Sequence, residues 1–194
     1  PLTIEITAGT GNITFNRTAL KYKVNDGEWI SADNPMVTVS SGDKIQVKQN
    51  YQPQGGSGSG SDPQLFTAGN SLMYTIYGNI MSIYSEEGFE NLTSFSGGQT
   101  NVFSKLFYKC TGLTSAENLV LPATTLAQSC YEAMFRGCSS LTTVPALPAT
   151  TLANNCYYNS FNGCTGLTTA PELPATTLTN NCYQSMFNGC TSLT

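Results

Sequence analysis

Thr143–Thr168, TVPALPATTLANNCYYNSFNGCTGLT, and the stretch after it, Thr169–Thr194, TAPELPATTLTNNCYQSMFNGCTSLT, are two copies of one 26-residue unit. A fixed period of this kind decides a fold before any local reading does. Leu141, Leu167 and Leu193 recur in step, as do Phe135, Phe161 and Phe187 and two cysteine series, Cys130/Cys156/Cys182 and Cys138/Cys164/Cys190. A worn copy lies further upstream, where Val102, Phe103, Leu106, Phe107 and Cys110 stand for Cys130, Tyr131, Met134, Phe135 and Cys138. That copy is two residues longer between Leu113 and Pro122.

Within a unit, Leu141, Val144 and Leu147 read as a strand that Pro145 and Pro148 hold to two or three residues. From Leu152 the positions Cys156, Ser160, Phe161 and Cys164 follow at a helical spacing, and Gly163 sits where a left-handed cap would end that helix. One strand-turn-helix unit cannot bury its own apolar face, but stacked copies can. The expected fold of residues 86–194 is therefore an α/β solenoid of leucine-rich repeats, a short strand plus a helix per coil, cut off in mid-repeat at Thr194. Stacking places identical residues side by side, where like charges repel. Asn154/Asn180 and the threonine pairs at 150/151 and 176/177 form uncharged columns instead.

The phrase FNGCTGLTTAPELPATTL, an aromatic-x-Gly-Cys element leading into Leu-x-x-apolar and Leu-Pro, resembles the BspA-type leucine-rich repeats of bacterial surface proteins. The resemblance covers about residues 101–194. It implies a curved solenoid outside the cell, on a bacterial surface, used for adhesion to a host or bacterial protein or a glycan. Related repeats occur in phage-like proteins, so a virion appendage is the alternative setting.

The first half is a different polymer. Residues 1–100 carry five basic and nine acidic side chains, against three of each in residues 101–194. Leu2-Thr3-Ile4-Glu5-Ile6-Thr7 alternates strictly. Lys21–Val24 and Glu28–Ile30 flank the turn Asn25-Asp26-Gly27, and Val37–Val39 and Lys44–Val47 flank Ser41-Gly42-Asp43. These are expected as hairpins of a small all-β sandwich, immunoglobulin-like, over residues 1–85. It continues through strands at Met73–Ile76 and Ile80–Ile83, with Gly78-Asn79 as a bulge or turn between them. The Gly/Ser loop 55–61 is flexible in composition and also fits an engineered linker.

The 194 residues contain no histidine, which removes the Ser-His-Asp and Cys-His nucleophile pairs and histidine metal ligation. The expectation is not an enzyme, with no cofactor and no metal. A net charge of −4, and charged residues at 10% against roughly a quarter in an average soluble domain, give no footprint for nucleic acid. No apolar run approaches the roughly 20 residues that span a bilayer, so no membrane insertion is expected.

Several residues admit two readings. The seven cysteines are expected as free buried thiols, because packed helices stand about 8 to 10 Å apart and a disulfide needs Cα atoms within roughly 7 Å. An inter-coil disulfide and a metal site are the alternatives. Tyr131, Tyr157 and Tyr183 are either a platform for sugar rings or packing between coils, with packing favoured. Glu86, Glu87 and Glu90 read as a solvated cap rather than a calcium site. Trp29 could stack a glycan, yet a lone tryptophan in a small sandwich reads as core. The sequons at Asn12, Asn16 and Asn91 carry no weight in a bacterial protein. The function expected is non-enzymatic binding through a repetitive surface, many weak contacts adding by avidity. Its candidate contacts are Thr142, Thr143, Tyr158 and Glu172. A structural scaffold or appendage segment is the alternative.

Overall fold

The alternation of apolar and polar residues in the first half produces strands whose odd and even positions face opposite ways. The structure is a computed structural model describing residues 1–50, 64–95 and 98–194. The Gly/Ser loop 55–61 lies outside the described residues. The strands are β1 (Leu2–Ala8), β2 (Thr10–Phe15), β3 (Leu20–Val24), β4 (Ile30–Ala32), β5 (Met36–Ser40), β6 (Lys44–Lys48), β7 (Phe66–Ala68), β8 (Met73–Asn79), β9 (Leu113–Ser115) and β10 (Leu119–Val120). A seven-stranded mixed sheet runs β10-β8-β1-β6-β3-β4, with β9 also paired to β8, and a three-stranded sheet runs β5-β2-β7.

Ile4, Ile6, Ile45, Val47, Tyr74 and Ile76 of the large sheet are buried together with Ile13, Phe15, Val37, Val39 and Phe66 of the small one. Phe66 joins the two sheets, its ring centroid lying 5.9 Å from Phe15 and 5.6 Å from Tyr74. Each such side chain removed from water contributes about 1.5–3 kcal/mol before entropy is counted.

Two details of the first half depart from the sequence reading. β5 and β6 are not a hairpin: β5 pairs with β2, while β6 pairs with β1 and β3. The link between them crosses from sheet to sheet, fastened by Ser41 N–H to the Gly9 carbonyl and Gly42 N–H to that of Ile6. Ile80–Ile83 is a 3₁₀ turn, not a strand. Asn79 caps it by accepting the Met81 N–H at 2.9 Å, and Gly78, at φ 85°, packs so close to the Pro1 carbonyl that a Cβ would clash.

The second half overturns the main structural expectation. Among the described residues the only helical segments are the 3₁₀ turns Ile80–Ile83 and Phe89–Asn91, so no repeat contains a helix. The fold is β-rich, and the α/β solenoid of leucine-rich repeats with a helix per coil is not formed. The segment read as a helix is a run of tight turns.

The reason lies in the backbone. Asn155, Asn159 and Gly163 have φ of 57°, 57° and 76°, and the equivalent trios Ser129/Ala133/Gly137 and Asn181/Ser185/Gly189 do the same. A left-handed residue at every fourth position stops any right-handed helix. It also reproduces the four-residue apolar spacing that looked helical. Lys109, in the glycine place of the worn copy, takes the same conformation at φ 56°.

Backbone hydrogen bonds then divide by parity. Even-numbered residues bond within their own turn, as Tyr158 N–H to the Asn155 carbonyl and Ser160 N–H to that of Tyr157. Odd-numbered residues bond to the next copy: Asn155, Tyr157, Asn159, Phe161 and Gly163 donate to Asn180, Cys182, Gln184, Met186 and Asn188. Residues 129–137 donate in the same register to residues 154–162. The strand expected in each unit is present in the first, as β9, and in the later ones only single bridges remain, Ser115 with Thr143 and Thr125 with Thr151.

Side chains follow the ladder. Phe107, Phe135, Phe161 and Phe187 stack with centroids 5.4–5.8 Å apart, and Phe103, Tyr131, Tyr157 and Tyr183 at 5.6–6.0 Å. All seven cysteines are free and buried. Cys138, Cys164 and Cys190 each direct Sγ at the carbonyl of a phenylalanine one copy back, Phe107, Phe135 and Phe161, at 3.1 Å. A thiol is small enough for this core and still donates.

Candidate functional site

The outer face of the large sheet carries what the core excludes. In the registers Thr3–Gln46, Glu5–Lys44, Lys21–Lys48, Lys23–Gln46 and Thr3–Tyr77 the polar partners all share one face. Four of the eight cations of this acidic chain, Lys21, Lys23, Lys44 and Lys48, therefore stand on two neighbouring strands.

Trp29 joins them. It precedes β4 by one residue, and because Ile30 is opposite Tyr22 and Ser31 opposite Lys21, the indole falls on the lysine side of the ladder. It is 39% exposed, so the expectation of a core tryptophan is corrected by this register. The ammonium of Lys48 lies 5.1 Å from the indole centroid and that of Lys23 5.7 Å, both within cation–π range.

The cleft beside the indole, about 250 Å³, is lined by Lys21, Trp29, Ser31, Lys48, Glu86 and Glu87. Glu86 reaches in from the loop after the 3₁₀ turn to pair with Lys21 at 2.5 Å, its N–H held by Asn50 Oδ1 at 2.8 Å. The hydrogen bond and charge of Glu86 raise the pKa of Lys21, which keeps it protonated. Lys23 and Lys48 have no carboxylate within ion-pair distance among the described residues.

Two further clefts follow on the same face. One of about 420 Å³ holds Lys23, Asp26, Lys44, Gln46 and Tyr77; the next, about 410 Å³, holds Glu5, Thr75, Tyr77 and, from the first repeat, Ser115 and Asn118. Tyr77 is shared by both. Burial and the nearby Glu5 carboxylate raise its pKa, so the phenol stays a neutral donor. Trp29 and Tyr77 thus bracket a polar row crossing β3, β6, β1 and β8, roughly 19 Å at the usual strand spacing.

No family model, curated protein or solved structure matches this chain.

The four residues singled out from the sequence do not converge. Thr142 and Thr143 are exposed but engaged: Thr142 N–H and Oγ1 both donate to the Thr114 carbonyl at 3.0 Å, and Thr143 Oγ1 lies 2.6 Å from Ser115 Oγ. Tyr158 is half-buried in the run of turns, while Glu172 is exposed on the irregular segment before Leu173. The tyrosine column is packing, with Tyr131 and Tyr157 at 1% and 2% exposure. The lysine face was open to sequence reasoning: Lys-Tyr-Lys at 21–23 and Lys-Ile-Gln-Val-Lys at 44–48 alternate, so each strand projects its lysines together. What could not be seen was that β3 and β6 are neighbours and that Glu86 closes over Lys21.

Proposed function

We propose that this chain is a non-enzymatic binding module that engages a glycan across the outer face of its large sheet, with the repeats as rigid support. The observation that carries this reading is the exposed Trp29 at the head of a row of clefts ending at Tyr77. An indole offers a flat apolar surface to the C–H face of a pyranose, and Ser31, Gln46, Thr75 and Tyr77 supply the hydroxyl and amide groups that orient one. Extracellular display on a bacterial surface is the setting implied by the repeat resemblance.

Binding to an oligosaccharide array, compared with Trp29→Ala, tests the reading. Signals that vanish in the variant support it; signals that persist unchanged place the contact elsewhere. A scaffold role is the second reading, favoured by the ladder of identical register between residues 129–137, 155–163 and 181–188. A structural element of that kind would stay silent on the array.

A further inference from the structure

We infer that the Trp29 cleft takes a saccharide bearing an anionic group, a carboxylate or a sulfate, held between Lys23 and Lys48 while the sugar ring lies against the indole. The inference rests on the glycan-binding reading and adds the charge of the ligand.

Lys21 and Lys48 are directly opposite in the β3–β6 ladder, an arrangement that costs stability because like charges face each other. Lys23, two residues along β3, brings a second ammonium to the indole beside that of Lys48. The cleft itself is lined by two cations, Lys21 and Lys48, and two carboxylates, Glu86 and Glu87, while Lys23 lines the adjoining cleft. Glu86 is committed to Lys21. The two ammonium groups at the indole, of Lys23 and Lys48, thus have no carboxylate within ion-pair distance among the described residues, in a chain whose net charge is −4. An anion between Lys23 and Lys48 relieves their repulsion and makes charge-assisted hydrogen bonds, stronger than neutral ones.

The other lining groups distinguish a sugar from a bare anion. The indole gives apolar contact, and Ser31 and Glu87 can bond hydroxyl groups, the carboxylate only as acceptor. A volume of about 250 Å³ falls below the roughly 300–1,000 Å³ of sites for drug-sized ligands, which fits a single ring of a longer chain. The neighbouring clefts continue the path toward Tyr77.

Trp29 is the only tryptophan, so its fluorescence reports on this cleft alone. The full chain is titrated with an oligoglucuronate, a sulfated oligosaccharide, the carboxyl-reduced neutral form of the former, and inorganic sulfate. The expected result is a Trp29 emission change with one or both acidic sugars, at least tenfold weaker with the neutral sugar and with sulfate. Affinity for the acidic sugar should fall at least tenfold in Lys23→Gln and Lys48→Gln, and with rising salt. Thermal unfolding of both variants verifies that they fold. Equal binding of the neutral sugar, lost in Trp29→Ala, leaves the module reading standing and overturns the charge assignment. Equal binding of inorganic sulfate, or full affinity in both lysine variants, also overturns it. Failure of every saccharide to move the emission, with an array unaffected by Trp29→Ala, sinks both.

Discussion

Tyr131 and Tyr157 stack with centroids 5.6 Å apart and planes 20° from parallel, and neither buried hydroxyl has a hydrogen-bond partner among the described residues. The equivalent position in the first copy is Phe103, which stacks on Tyr131 at 6.0 Å, so the column accepts a ring without the oxygen. Leaving a buried polar group unpaired costs about 1–3 kcal/mol. Tyr157→Phe is therefore expected to stabilise the protein by about 1 kcal/mol, read as a higher urea midpoint at unchanged slope. A midpoint lower than wild type means the hydroxyl is satisfied.

The run of turns and a helix make opposite demands on Asn155, which sits at φ 57°. In a left-handed position glycine is free and a β-branched residue costs about 1–2 kcal/mol. In a helix interior valine is instead slightly better than glycine. Asn155→Gly is expected within about 0.5 kcal/mol of wild type, on the same grounds, and Asn155→Val markedly less stable. Denaturant unfolding of the pair gives the order, and the reverse order is incompatible with the backbone described.

Burial raises the thiol pKa values, of Cys156 to about 11 and of Cys110 and Cys164 to about 12. In the unfolded chain a thiol titrates near 8.5, so above that pH the unfolded state holds fewer protons than the folded one. Stability is complete below about pH 8.5 and falls as pH climbs toward the folded values, by up to about 1.4 kcal/mol per pH unit per thiol. Unfolding free energies at pH 7, 9 and 10 measure this; a flat profile contradicts the buried neutral thiols. Alkylation should label no cysteine in the native protein and all seven after denaturation without reductant.

Hydrogen exchange should show the parity of the ladder. Odd-numbered amides from Asn155 to Gly163 are bonded to the following copy, whereas those of Asn181, Tyr183, Ser185, Phe187 and Gly189 have no partner among the described residues. Amide exchange by NMR is expected to be fast at these five and slow at their equivalents 26 residues earlier. Uniform protection along residues 181–189 removes the directional ladder.

Much of the first half was legible because alternation is a local property: Leu2–Thr7, Lys21–Val24, Val37–Val39 and Lys44–Val47 are all strand. Pairing was not legible, since the turn at 41–43 looks the same whether its strands stay together or separate into two sheets. In the repeats the period, the stacking columns and the free thiols were readable. The helix was a misreading of spacing, because apolar residues four apart serve a helix and a chain of four-residue turns alike. Asparagine or glycine at 155, 159 and 163 was the signal that separates the two.

Sequence alone determined that a 26-residue unit recurs and that its phenylalanine and cysteine columns lie inside, because repetition is in the letters themselves and stacked copies bury equivalent apolar side chains together. Only the tertiary structure decided which face gathers the lysines, the indole and Glu86. Lys21, Lys48, Trp29 and Glu86 come from four separate segments, and it is the register of β3 against β6 and β4, with the loop after the 3₁₀ turn folded over them, that gathers their charges around one indole.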